Sequence, residues 1–251
     1  MNELFSLQGK NAVVTGGSRG LGKEMALGLA QAGANVAVIS RKSAPEVEEE
    51  LKAYGVHAVS IAFDIGQIEQ HEELVNLVEA QLGPVDILIN NAGIQKRHPA
   101  AEFPQQDWQA VMDINLHAVF SLCQLFGRPM LARGAGKIIN IASLLSYQGG
   151  VNIPAYTASK HAVSGLTKAL ANEWASKGVH VNAIAPGYMA TEMNDALIND
   201  ETRSRQILER IPAQQWGSGQ DMQGAAVFLA SAASNYIHGF TIAVDGGWLA
   251  G

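Results

Sequence analysis

Short runs of apolar residues alternate along this chain with longer stretches of helical period. The runs Asn11–Thr15, Asn35–Ser40, His57–Ala62, Ile87–Asn90, Lys137–Ala142, His180–Ala185 and Thr241–Val244 are nearly continuous in apolar character. Strands covered on both faces look like this, because neither side meets water. Between them, Gly22–Gln31 carries Met25, Leu27, Leu29 and Ala30, and Gln67–Gln81 turns Ile68, Leu74, Val75 and Val78 toward one face. Asp107 is placed to cap a helix holding Trp108, Val111, Met112 and Ile114 that runs past Asn115 to Leu131. Ala155–Ser176 and Asp221–Ala230 follow the same logic. The alternation predicts one α/β domain over 1–251: a doubly wound, seven-stranded parallel sheet with helices on both faces. The more polar stretch Met189–Gln215 is the expected mobile substrate flap.

Composition narrows the function. At 251 residues and 47% hydrophobic content the chain can bury a core as one unit. A formal charge of −6 leaves no basic footprint for nucleic acid or an anionic membrane. Met1–Ser6 shows no charged leader before an apolar run, and no segment approaches ~18 unbroken apolar residues. The expectation is a soluble, cytoplasmic protein. Its single cysteine, Cys123, excludes an intrachain disulfide and reads as a small buried hydrophobe. Without H-E-x-x-H, C-x-x-C or clustered histidines, no metal site is expected.

The first strand turns into the first helix through Thr15-Gly16-Gly17-Ser18-Arg19-Gly20-Leu21-Gly22. Glycines there admit positive φ and let backbone N–H groups approach a phosphate at the helix N-terminus. The spacing is G-x-x-x-G-x-G rather than G-x-G-x-x-G. The second strand ends Ser40-Arg41-Lys42, with no carboxylate before Glu46. A carboxylate there would favour NAD(H), whereas cations favour a 2′-phosphate. Arg41, with Arg19 in the loop, therefore favours NADP(H), with NAD(H) the alternative and a plain solvated strand end the bland reading.

Tyr156 and Lys160 lie one turn apart in a helical stretch, so a cation is expected to lower the phenol pKa by roughly 1–3 units. Ser143 lies in Ile141-Ala142-Ser143-Leu144-Leu145, not in the G-x-S-x-G of a hydrolase elbow. It offers a hydroxyl at a strand's carboxyl edge, but taken by itself it reads as a capping serine.

Taken together, the glycine turn, Asn90-Asn91-Ala92-Gly93, Asn115, Ser143, Tyr156-x-x-x-Lys160 and Pro186-Gly187 resemble the short-chain dehydrogenase/reductase family over essentially the whole chain. That resemblance implies a Rossmann-type fold, a homotetramer, and interconversion of a secondary alcohol and a ketone. It implies Tyr156 as general acid or base, Lys160 on the phenol and the nicotinamide ribose, Ser143 on the substrate oxygen, and Asn115 helping to hold a relay water. Gly16, Ser18, Arg19, Gly20, Leu21 and Gly22 would line the pyrophosphate, Ser40 and Arg41 the adenosine ribose, and Asp64 and Ile65 the adenine. Asn91, Ala92 and Gly93 would line the nicotinamide ribose side, and Pro186, Gly187, Met189 and Thr191 the nicotinamide.

Within the family, Lys137–Gly150, Pro154–Lys160, Val181–Thr191 and Ile242–Leu249 resemble members that act on small keto or hydroxy sugar acids. Gln215, where those members carry Arg, and Glu192, where they carry a neutral residue, depart from them. A sugar acid needs a cation and hydroxyl partners. Lys96 and Arg97 are candidates for its carboxylate, with Gln148 and Asn152 for its hydroxyls. Alternatives are a 3-oxoacyl carrier-protein reductase and a non-catalytic dinucleotide-binding regulator. The intact Asn115, Ser143, Tyr156 and Lys160 set argues against the regulator.

Overall fold

In the computed structural model, which describes residues 3–251, all seven strands join one parallel sheet. They are β1 (Asn11–Thr15), β2 (Asn35–Ser40), β3 (Ala58–Ala62), β4 (Ile87–Asn90), β5 (Gly136–Ile141), β6 (Val179–Pro186) and β7 (Thr241–Val244). Four match the expected bounds; β3, β5 and β6 differ by one residue at one end or both. Met1 and Asn2, the start of the Met1–Ser6 stretch, lie outside the described residues.

Spatial order is β3-β2-β1-β4-β5-β6-β7. Chain direction across the sheet reverses between β1 and β4, which opens a crevice at their carboxyl ends where α/β sheets take ligands. The helices are α1 (Gly20–Gln31), α2 (Pro45–Lys52), α3 (His71–Leu82), α4 (Gln105–Met112), α5 (Ala118–Arg133), α6 (Pro154–Trp174), α7 (Asp195–Ile198), α8 (Glu201–Arg210) and α9 (Asp221–Ala230).

Strand side chains alternate between two cores. Val14, Val38 and Ile89 join Met25 and Leu29 of α1 and Met222 and Leu229 of α9. Val13, Ile39 and Leu88 join Leu74 and Val78 of α3, Leu122 and Phe126 of α5, and Trp174 of α6. Each such side chain contributes roughly 1.5–3 kcal/mol by leaving water. Cys123 is buried in the second core, where desolvation pushes its thiol up to about 12, consistent with a packing role.

Three local expectations are corrected. Asp107 does not cap its helix: α4 starts at Gln105 after Pro104, and the carboxylate is taken by His98 and Lys96 instead. The expected single helix through Asn115 is interrupted by one wide turn, Asp113–His117. Such π-type turns displace a side chain from the regular helical face. The Gln67–Gln81 helix opens with a short 3₁₀ turn, Ile68–Gln70. The segment 105–133 has the length and mean hydropathy of a membrane span by composition alone. Its buried face, including Val119, Leu122, Phe126 and Met130, is fully used by the core.

Residues 189–215 contain α7 and α8. Ile207 and Ile211 pack with Leu144 and Trp248 into a small separate cluster beside the carboxyl edge of the sheet.

Candidate active site

The glycine turn is built by close approach. Gly16 and Gly20 have φ of +65° and +54°, in the left-handed region. A Cβ on Gly22 would overlap the Gly16 carbonyl oxygen and Asn91 Nδ2, and would stand 2.9 Å from the Gly16 carbonyl carbon. Asn91 ties the turn to β4: its Nδ2 donates to the carbonyls of Thr15 (2.9 Å) and Gly16 (3.2 Å). Thr15 Oγ1 in turn accepts from the backbone N–H groups of Asn91 and Ala92. At Gly20, by contrast, a Cβ would meet nothing within 4 Å. The result is a tight backbone bend with an open face at the start of α1, which fits a pyrophosphate.

Arg19 leaves this turn and pairs with Glu192 beyond β6, both side chains being about two-thirds exposed. Arg41 is exposed, and among the described residues it has no ion-pair or hydrogen-bond partner. Ser40 Oγ donates to the Lys42 carbonyl at 2.7 Å. Asp64 accepts from Gly66 N–H through Oδ1, and Ile65 is buried beside it. Ser18 and Leu21 are half-buried in the turn. Pro186 ends β6, and Gly187 N–H donates to Val244 O at 2.8 Å. Met189 is buried, and Thr191 follows it at the head of the segment that holds Glu192.

Tyr156 and Lys160 sit on the first two turns of α6, at the carboxyl edge of β5. Ser143, just past β5, lies near enough to the Tyr156 phenol to favour its ionised form, and its Oγ accepts from Leu145 N–H at 3.2 Å. Lys160 Nζ lies 5.6 Å from the Tyr156 ring centroid and donates to Ile141 O at 2.6 Å. Burial pulls this ammonium down to about 8. The expected fall in the Tyr156 pKa is corrected: burial raises it, and Ser143 only partly opposes the rise. Lys160 directs its charge at the Ile141 carbonyl rather than at the phenol oxygen.

The wide turn at 113–117 presents the fully buried Asn115. Its Oδ1 accepts from Ile94 N–H (2.9 Å), while Nδ2 donates to Ile94 O (2.9 Å) and Ser159 Oγ (3.2 Å). Ser159 Oγ donates to Tyr156 O, and Ser146 Oγ donates to Lys160 O. Asn115 thus links Ile94, just past the Asn91–Gly93 loop, to the first turns of α6. Ser146 and Ser159, unmarked in the sequence analysis, complete this frame. So do Asn90, Asn140 and Thr167, which hydrogen-bond through the sheet centre. Asn140 stands as a polar residue inside an apolar run and Asn90 within the Asn90-Asn91-Ala92-Gly93 stretch, whereas no such pattern marks Ser159 or Thr167.

The substrate candidates divide. Lys96 pairs with Asp107 at 3.4 Å, which His98 also contacts at 2.6 Å. Arg97 is exposed, with Gln95 at 3.5 Å. Asn152, at φ +62°, accepts from His98 N–H through its carbonyl. Gln148 Oε1 accepts from Arg210 Nη2 at 3.4 Å. Among the described residues no group of three or more His, Cys, Asp or Glu stands together as a metal site.

The short chain dehydrogenase family model matches residues 10–202. The chain belongs to the short-chain dehydrogenase family. It is 52% identical over 247 residues to the 2-dehydro-3-deoxy-D-gluconate 5-dehydrogenase of Dickeya dadantii, covering 98% of each chain. A structure from Agrobacterium tumefaciens, described as a 2-deoxy-D-gluconate 3-dehydrogenase with bound NADP, superposes with a TM-score of 0.94. It is 49% identical and covers 100% of both chains. The gluconate 5-dehydrogenase of Burkholderia cenocepacia, in complex with NADP and tartrate, gives a TM-score of 0.95 at 42% identity, over 99% of this chain and 98% of that one. These matches and the geometry make this short-chain dehydrogenase an oxidoreductase.

Proposed function

We propose that this short-chain dehydrogenase interconverts the hydroxyl and keto forms of a small sugar acid of the gluconate type, using NADP(H) by preference. The observation that carries the reading is the convergence of Ser143, Tyr156 and Lys160 at the carboxyl edge of β5, in a chain half identical to an enzyme named for a gluconate derivative.

The cofactor supplies or accepts the hydride when bound; Gly16, Ser18, Arg19, Gly20, Leu21 and Gly22 would hold its pyrophosphate. Ser40 and Arg41 would face the adenosine ribose and its phosphate, with Asp64 and Ile65 at the adenine. Asn91, Ala92, Gly93, Pro186, Gly187, Met189 and Thr191 would enclose the nicotinamide half. Relatives holding NADP and the absence of a carboxylate at the end of β2 support this choice.

Tyr156 donates the proton to the substrate carbonyl oxygen in reduction and removes it in oxidation, and its raised pKa keeps the phenol protonated as a donor. Ser143 orients that same oxygen. Lys160, which donates to the Ile141 carbonyl, would serve the phenol and the ribose, and Asn115 would help hold a water that relays protons from Lys160. Gln148 and Asn152 face the sugar hydroxyls. Lys96 and Arg97 line the mouth of the pocket, Lys96 with its charge largely matched by Asp107. Residues 189–215 form the flap.

The enzyme is a cytoplasmic homotetramer. Ala158, Ala162, Gly165 and Ala169 support assembly: the stripe lies off the buried face of α6, which instead uses Val163, Thr167, Leu170 and Trp174. A monomer by light scattering at micromolar concentration would end that reading.

The deciding assay offers 2-dehydro-3-deoxy-gluconate, 5-keto-gluconate, their neutral ketose counterparts and an acetoacetyl thioester, each with NADPH and NADH. We expect kcat/KM highest for a keto sugar acid with NADPH. Preference for the thioester would overturn the reading.

A further inference from the structure

The sequence of α8, Glu201–Arg210, places Ile207 one turn before Ile211, and both residues are buried against Leu144 and Trp248. Leu144 directly follows the substrate-facing Ser143. That packing brings the last residue of the helix, Arg210, beside the loop that follows Ser143. Its guanidinium carbon stands 3.9 Å from the Trp248 ring centroid, and Nη2 reaches Gln148 Oε1. Tyr188, just beyond the Pro186-Gly187 turn, also packs on Trp248, with ring centroids 4.7 Å apart. Arg210 therefore stands where the Ser143 loop, the end of β6 and the C-terminal turn meet.

Its charge is unspent. Glu209, its neighbour, is engaged by Arg205, and among the described residues Arg210 has no ion-pair partner. Lys96, one of the two cations expected to take a carboxylate, already has Asp107, and the other, Arg97, is exposed beside Gln95. A guanidinium laid on an indole loses little further freedom when it binds, and its planar fork matches a carboxylate with two parallel hydrogen bonds.

We propose that Arg210 is the carboxylate anchor of the substrate pocket, with Trp248 as its platform and Gln148 taking the adjacent hydroxyl. This rests on the sugar-acid reading above. Because Arg210 belongs to the flap, binding of the acid end would also fix α8 against the Ser143 loop. The span from Arg210 to Tyr156 would then select which carbon of the open-chain acid meets the phenol.

The test compares wild type, R210A, R210K and R97A. KM is measured on a keto sugar acid and on its primary amide, and D-gluconate binding to the NADP-loaded enzyme is measured by calorimetry. We expect R210A to raise KM for the acid roughly 10- to 100-fold more than for the amide. R210K should recover part of the loss, since a point charge lacks the fork, and R97A should have a smaller effect than R210A. Gluconate affinity should fall by a similar factor in R210A. Equal effects of R210A on acid and amide, unchanged gluconate affinity, or no measurable gluconate binding to wild type would overturn the assignment. If gluconate binding depends on Arg210 but no sugar acid is turned over, the anchor stands and the substrate reading fails.

Discussion

Gly22→Ala probes the closest approach in the cofactor cradle. The new methyl group would stand 2.9 Å from the Gly16 carbonyl carbon, against an ordinary carbon–carbon contact of ~3.5–4.0 Å, and would overlap the carbonyl oxygen and Asn91 Nδ2. Neither neighbour can yield freely, since Gly16 N–H is bonded to Ile39 O at 2.7 Å and Asn91 spans Thr15 and Gly16. Overpacking of this kind costs about 1–3 kcal/mol. Losing the two Asn91 hydrogen bonds adds about 0.5–1.5 kcal/mol each. Together these make about 2–6 kcal/mol, so at roughly 2–4 °C per kcal/mol for a chain of this size, Tm should fall by ~4–24 °C. NADPH affinity, read by fluorescence titration, should fall at least ~10-fold, because the displaced Gly16 carbonyl reshapes the face that meets the pyrophosphate. Gly20→Ala is the matched control. It meets no atoms but adopts φ +54°, so it should cost only the ~1–2 kcal/mol of left-handed backbone. A Gly22→Ala protein with wild-type Tm and affinity, or one no worse than Gly20→Ala, would refute the close-packing argument.

Tyr156→Phe should leave NADPH affinity within about twofold while nearly abolishing turnover, and Lys160→Ala should impair both; a Tyr156→Phe enzyme keeping over a tenth of kcat, a loss under ~1.4 kcal/mol, contradicts the proton-donor role. Glu192→Gln, which releases Arg19, should raise the NADPH-to-NADH ratio of kcat/KM by about 2- to 5-fold, the scale of an exposed ion pair, whereas Arg41→Asp should shift it toward NADH. Unchanged ratios in both variants would remove the charge argument for cofactor choice. His180, stacked on His238 at 4.5 Å, is held down to about 4 by burial first and then by the Lys137 and His238 charges. Between pH 4 and its ordinary value near 6.5 the unfolded chain binds the extra proton, so stability should rise with pH across that window. Tm measured at pH 4.5 and 7 should differ less in His180→Asn than in wild type, and an equal difference would count against His180 as the source.

The sequence by itself determined the sheet and the placing of Tyr156 and Lys160 one turn apart on one helix. Continuous apolar runs such as Asn35–Ser40 and Ile87–Asn90 leave little choice of conformation, because both faces of the strand must be buried. The Tyr156–Lys160 spacing is local to one helical turn, so its geometry follows once the helix forms. The α2 helix went unread because its Glu-rich sequence shows only Val47 and Leu51 to the core. Tertiary structure decided where charges are spent. Lys96 goes to Asp107, Arg19 to Glu192 beyond β6, and Lys160 to the Ile141 carbonyl, while burial leaves the Tyr156 pKa raised rather than lowered. Arg210 meets Trp248 only because α8 folds back onto the Leu144 cluster. Periodicity records which face of an element is buried. Electrostatic energy depends on distance and desolvation between residues remote in the chain, and neither exists until the elements have packed.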